Sequence, residues 1–212
     1  LKVTAPIQYD GLGFDFKWNL GWMHDTLEFF QLPPEQRTAQ YGRLCWPMSY
    51  FYNDLFLLPL SHDEVVHGKT TVLQRMWGDY EQKFPQGRTF YTLMFTQPGK
   101  KLNFMGNEFG QLREWDEKRG QDWDLLKYPL HDSFMEWFSA LSRLYFIHPA
   151  LHADEYNAAS FRWIENSSPA QCVYAYERGL GRERLLAVLN LSRNFYPGFP
   201  IGFDRPAVLV EA

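Results

Sequence analysis

The stretch "LPLSHDEVVHGK", residues 58–69, sets a histidine, an aspartate and a glutamate directly behind an apolar run. That run, "LFLLPL" at 55–60, has no polar position. Strands covered on both faces of a parallel sheet have this texture. Pro59 is tolerable there only near the strand's end, where the hydrogen-bond ladder stops. His62, Asp63 and Glu64 are therefore expected at the C-terminal end of a strand. Three readings stay open for them: a catalytic strand end, a metal site, or a solvated turn.

The flanking sequence repeats the arrangement. "KKLNFMGNEFG" (100–110) is a second short apolar strand, ended by Gly106 and followed by Asn107 and Glu108. Between the two, "RTFYTLMFTQ" (88–97) reads as a mostly buried helix. Upstream, "GLGFDFKWNLGW" (11–22) reads as a loop and a short strand reaching Trp18. Trp22, Met23, Leu27 and Phe30 then follow a helical period, which Pro33 and Pro34 end. Downstream, Ser133 and Glu136 have capping-box spacing. Behind them Phe134, Trp137, Phe138, Leu141, Leu144 and Tyr145 mark one helix face, stopped by Pro149. Alternating strands and helices predict parallel β/α units, and polar groups at strand ends suit a (β/α)₈ barrel. Such a barrel takes about 250 residues, and the stretch up to about residue 155 supplies about three units rather than eight. The fold is then an open sheet or part of a barrel.

Beyond that point the texture changes. "SFRWIE", "QCVYAYER" and "RLLAVLNLS" are short strand-like segments, with "NSSP" and "GLG" as turns between them. They predict antiparallel strands in a separate, all-β module.

Composition excludes some functions. The chain has 212 residues, 45% hydrophobic and 22% charged, with a net charge of −4. This balance argues against nucleic acid or an anionic membrane as the main partner. No apolar run reaches the ~18 residues of a transmembrane helix. "LKVTAP" lacks an initiator Met and the features of a signal peptide, as a cut or processed chain would. Cys45 and Cys172 lie far apart among apolar neighbours and are expected as free buried thiols in a reducing cytosol. Aromatic residues make up 18%. A core built of rings accounts for that; so would stacking on sugar rings, and composition favours the core.

His62 and His67 lack the i, i+4 spacing of a helical zinc pair and have no Cys nearby, so no metal and no cofactor is expected. Ser61 adjoins His62, but there is no G-x-S-x-G elbow. Breaking a glycosidic bond needs two carboxyl groups, one as acid and one as nucleophile or base. Asp63 and Glu108, each behind a strand, are candidates for that pair. Their alternative role is to satisfy loop amides.

Taken together, "GLGFDFKWNLGWMHDTL", "LPLSHDEVVHGK", "GKKLNFMGNEFGQLREW" and "DWDLL" resemble the bacterial-type 1,4-α-glucan (glycogen) branching enzymes of the α-amylase superfamily. The resemblance runs in order over nearly all of residues 1–152. Residues 153–212 resemble the start of that family's C-terminal β-sandwich more loosely. It implies the C-terminal portion of a (β/α)₈ barrel over 1–152, followed by part of a sandwich over 153–212. It implies cleavage of an α-1,4 bond, a glycosyl intermediate on an aspartate, and transfer to a 6-hydroxyl. Asp63 matches the carboxylate that stabilises the transition state, and His62 the histidine that hydrogen-bonds the same sugar. The nucleophile Asp and acid/base Glu of the family lie upstream of the segment that "KVTAP" (2–6) matches, so neither is expected in this chain. Glu108 matches no catalytic position, and the Asp63–Glu108 pair is withdrawn.

Glu64, His67, Asn107 and Glu108 are expected in supporting roles, and Trp18, Trp115 and Trp123 as sugar contacts. Trp22 is expected in the core. The implied partners are α-1,4-glucan (amylose or glycogen) and the N-terminal part of the same cytoplasmic enzyme. Without that part the chain is expected to be inactive and, with open sheet edges, to self-associate. Two alternatives stand beside this reading: an amylase-like or trehalose-releasing hydrolase, and a non-catalytic glucan-binding module.

Overall fold

Residues 2–212 are described in a computed structural model. Three parallel strands, β1 (Lys17–Trp18), β2 (Phe56–Leu60) and β3 (Lys100–Asn103), form a sheet in sequential order β1-β2-β3. Leu58 pairs with Lys101 and Leu60 with Asn103, so β2 and β3 end together. Pro59 is accommodated one residue before the end of β2. Helices follow the strands: α1 (Leu20–Gln31), the single turns α2 (Pro34–Arg37) and α3 (Val72–Arg75), α4 (Tyr80–Thr96) and α5 (Pro129–Ile147).

Local chemistry sets the helix boundaries. Asn19 caps α1 by accepting the Trp22 amide at 3.0 Å. Asp79 and Gln82 form a capping box at the start of α4, well ahead of Arg88, where the apolar run begins. The helix continues through Pro85. Gly87 lets α4 approach α5, because a Cβ there would lie 3.0 Å from Leu73 and 3.1 Å from Phe134. The predicted Ser133–Glu136 cap is corrected by the structure. α5 starts earlier, with Pro129 in its first turn, where no intrahelical partner exists for an N–H. Ser133 is one turn inside, donating to the Leu130 carbonyl at 3.2 Å and accepting Arg88 Nη2 at 3.1 Å. Phe134, Phe138 and Leu141 are buried as the period predicts, while Trp137, Leu144 and Tyr145 are half-buried.

The second sheet is antiparallel, β4 (Phe161–Ser168), β5 (Val173–Arg178) and β6 (Leu185–Asn190), with β5 central and buried throughout. One continuous core runs through both sheets, joining Trp22, Phe30, Phe90 and Phe134 to Tyr174, Tyr176 and Leu189. Much of the aromatic excess lies there. The rings of Phe30 and Phe90 meet edge to face at 5.4 Å, and those of Tyr41 and Tyr174 stack at 4.2 Å. Both cysteines are free, Cys172 buried and Cys45 partly so, and burial pushes both thiols up to about 11.

Two buried arginines join the sheets, with no carboxylate among the described residues at hydrogen-bond distance. Arg178 on β5 donates to the Thr96 carbonyl at the end of α4 and to the Leu151 carbonyl at 3.1 Å. Arg37 donates to the Leu32 and Phe30 carbonyls at the end of α1, at 3.1 and 3.3 Å, and to Leu191 behind β6 at 3.2 Å. Helix C-termini carry partial negative charge and unmet carbonyls, which suits a guanidinium. Burial still lowers both pKa values, that of Arg37 to about 10.

Candidate functional site

β2 ends at Leu60, and the chain turns at once into a 3₁₀ segment, His62–Val65. Ser61 and Glu64 build that turn. The Ser61 hydroxyl accepts the Asp63 amide at 3.1 Å, and the Glu64 carboxylate accepts both the Ser61 amide and, at 2.8 Å, its hydroxyl. Glu64 is thereby engaged inside the fold, only 4% exposed. The same turn sends His62 and Asp63 outward, with side chains 50% and 56% exposed and Nε2 3.4 Å from Oδ1. Two rings back the imidazole: Phe104, just past β3, at 6.0 Å, and Trp115 at 5.9 Å. Phe104 and Trp115 themselves meet edge to face at 5.3 Å. The arrangement offers a carboxylate acceptor and an imidazole beside an aromatic wall, open to solvent.

The segment behind the pair has an unusual backbone. His67, Gly68 and Thr70 have φ of +59°, +78° and +64°. Lys69 Nζ donates to the Asp63 carbonyl at 2.9 Å. Arg75 donates to the carbonyls of Lys69 at 2.8 Å and Glu64 at 2.7 Å. Glu114 accepts the Gly68 amide at 3.0 Å and the Thr70 amide at 2.6 Å. The Trp115 amide donates to the Val65 carbonyl at 2.9 Å.

The end of β3 is a turn between Gly106 and Gly110, both left-handed. Glu108 accepts the Gly106 amide at 2.8 Å, the loop-satisfying role that competed with catalysis in the sequence. Asn107 donates to Asn103 Oδ1 at 3.2 Å, an oxygen also met by the Tyr91 hydroxyl at 3.4 Å. Burial pushes the Tyr91 phenol well up, and the Glu108 charge adds to that.

Among the predicted residues, His62, Asp63 and Trp115 come together. Glu64 and Glu108 hold backbone amides at their turns, Asn107 bonds the Asn103 side chain, and His67 is an exposed part of the left-handed segment. Trp18, at the end of β1, is 41% exposed. Trp123 is 54% exposed, lies against Phe109 at 4.9 Å, and borders a shallow pocket of about 490 Å³ with Asp122 and Tyr128. Arg113 anchors that pocket's Asp122 through Nε and Nη2, at 3.1 and 3.0 Å. Sequence reasoning missed Glu114, Lys69 and Arg75. The sole signal for Glu114 was its place in "QLREW", next to Trp115.

No family model matches the chain. Among solved structures, Ttha1563 from Thermus thermophilus is similar over 85% of this chain and 38% of its own, at a TM-score of 0.58 and 22% identity. An alpha-amylase from H. orenii is similar over 84% and 39%, at 0.51 and 17%. The fold is thus the mixed α/β fold of α-amylase-type proteins, a parallel sheet followed by an antiparallel one. Sequence goes further. The 1,4-alpha-glucan branching enzyme GlgB of Rhodopseudomonas palustris (strain HaA2) is 43% identical over 97% of the chain. That of Salinibacter ruber (strain DSM 13855 / M31) is 46% identical over 94%. Over these residues the chain belongs to the GlgB branching-enzyme family. It spans 29% and 32% of the length of those two relatives.

Proposed function

We propose that this chain supplies the His62–Asp63 part of the active site of a 1,4-α-glucan branching enzyme. The observation that carries the proposal is the exposed imidazole–carboxylate pair immediately behind a parallel strand, within a chain of that family. Cleavage of an α-1,4 bond passes through an oxocarbenium-like state. A fixed carboxylate that accepts hydrogen bonds from ring hydroxyls, and an imidazole that bonds the same sugar, lower that barrier if the bonds tighten in the transition state. Asp63 is the stabilising carboxylate, and His62 the hydroxyl partner. Trp115 backs His62 from behind, and Trp18 and Trp123 are glucan-stacking faces. The nucleophilic Asp and the acid/base Glu belong to polypeptide N-terminal to residue 2. The glucan leaves the nucleophile for a 6-hydroxyl, so an α-1,6 branch forms.

In this reading residues 1–152 are part of a (β/α)₈ barrel and 153–212 the start of a β-sandwich domain. The sequential parallel order of β1-β2-β3, with polar residues behind the C-terminal ends, supports the barrel. The enzyme works in the cytoplasm on glycogen or amylose. No helix among the described residues is long and apolar enough to cross a membrane.

The test is the product formed from amylose by the full-length protein. New α-1,6 linkages, seen by their anomeric NMR signal without a matching rise in reducing ends, are expected. Reducing ends without α-1,6 linkages would identify a hydrolase instead.

A further inference from the structure

His67, Gly68 and Thr70 all have left-handed backbones. Glycine takes this conformation freely. A β-branched threonine does so only under constraint, and such a position persists only where the surroundings over-determine it. Two of the amides in this segment are met by one side chain. Glu114 presents one carboxylate oxygen to the Gly68 amide and the other to the Thr70 amide. Charge-assisted bonds of this kind are roughly twice as strong as neutral ones. From the held segment, Lys69 reaches back to the Asp63 carbonyl, and Arg75 ties Lys69 to Glu64, which caps the turn beneath Asp63. The residue after Glu114 closes the circuit: the Trp115 amide bonds Val65, and its ring backs His62.

We propose that Glu114 is a positioning residue: by clamping the strained 67–70 segment, it fixes the geometry of His62 and Asp63 toward the glucan. Glu114 is itself a backbone acceptor and need touch no sugar. The inference rests on the reading of His62 and Asp63 given above.

The experiment uses the full-length protein with Glu114→Ala, Glu114→Gln and Glu114→Ala/Thr70→Gly, and Asp63→Asn as a control. Two quantities are read: amide hydrogen exchange at Gly68 and Thr70, and the kcat and KM of branching on amylose. Glu114→Ala is expected to speed exchange at both amides by about tenfold or more. It should lower kcat about 10- to 100-fold with little change in KM, since misplacement acts on the transition state. Glu114→Gln keeps one acceptor but turns an NH₂ toward the other amide, so it should free one amide selectively and fall between. Thr70→Gly relieves the left-handed threonine and should restore part of the kcat lost in Glu114→Ala. Unchanged exchange at both amides would overturn the proposal. So would faster exchange with kcat intact while Asp63→Asn abolishes activity. If Asp63→Asn itself leaves kcat intact, the site reading fails, and this inference with it.

Discussion

Asp63 and Glu64 are adjacent acidic residues with opposite fates, and the difference comes from Ser61, whose amide and hydroxyl both donate to Glu64. Ser61 and Glu64 satisfy each other across the first turn, which engages Glu64 and leaves Asp63 in solvent. Replacing Ser61 with Ala should therefore cost about 1 kcal/mol of stability, as N-cap removals do. A urea titration measures this, and a midpoint unchanged from the parent would contradict it. The Glu114 clamp carries its own pH signature. The amides of Gly68 and Thr70 hold its carboxyl below the ordinary glutamate range. A depressed carboxyl contributes fully above its unfolded value and loses that contribution as pH falls through the folded one. Protection of Gly68 and Thr70, taken relative to the intrinsic exchange rate at each pH, should accordingly persist to mildly acidic pH and then be lost below the ordinary glutamate range. Protection independent of pH through that range would contradict the clamp. Of this site, residue types and strand-end placement were legible in "LPLSHDEVVHGK". The inward turn of Glu64 and the reach of Glu114 over 46 residues were not, because neither leaves a periodic signal.

At the scale of elements, hydrophobic period found the faces of α1 and α5, while capping-box spacing misjudged where α5 starts. Capping-box spacing at Ser133 and Glu136 is a local pattern that a proline four residues earlier outcompetes, since its fixed φ already suits a first helical turn. The Asp79–Gln82 box likewise starts α4 about two turns ahead of the stretch read as helix in the sequence, and the helix runs on through Pro85. The contact of α4 with α5 depends on Phe134, fully buried against Phe84 at 5.8 Å and Tyr91 at 6.1 Å. Phe134→Ala should destabilise the protein by about 3–5 kcal/mol. Calorimetry or a denaturant titration would show it, and a loss under about 1 kcal/mol would mean that α5 docks by other contacts. At the other end of β2, Asp54 fastens the N-terminal segment. It accepts the amides of Val3 and Thr4 at 3.2 and 3.1 Å and the Thr4 hydroxyl. Burial pushes this carboxyl up, but those bonds outweigh it and leave it below the usual aspartate range.

For the molecule as a whole, the change of sequence texture near residue 155 is followed by the antiparallel sheet, whose first strand starts at Phe161. The expectation that this sheet forms a separate module is corrected by the continuous core that joins it to the rest. The joining residues are far apart in sequence, Arg178 with Thr96 and Arg37 with Leu191, and long-range pairs of this kind leave no local trace. Removing Arg178 strands two buried carbonyls, each worth about 1–3 kcal/mol. Arg178→Ala should thus lower stability by roughly 2–5 kcal/mol. It should do so in a single transition reported alike by both sheets; two separated transitions in the parent protein would contradict the shared core. The open edges of β1 and β3 predict that these 212 residues, expressed alone, self-associate, which sedimentation velocity would detect against a sharp monomer boundary. Everything proposed for the whole enzyme turns on Asp63 stabilising the transition state of glucan transfer. Full-length protein carrying Asp63→Asn should form α-1,6 linkages on amylose about 10²–10³-fold more slowly, at nearly unchanged glucan affinity and stability. A rate within about twofold of the parent would contradict the assignment.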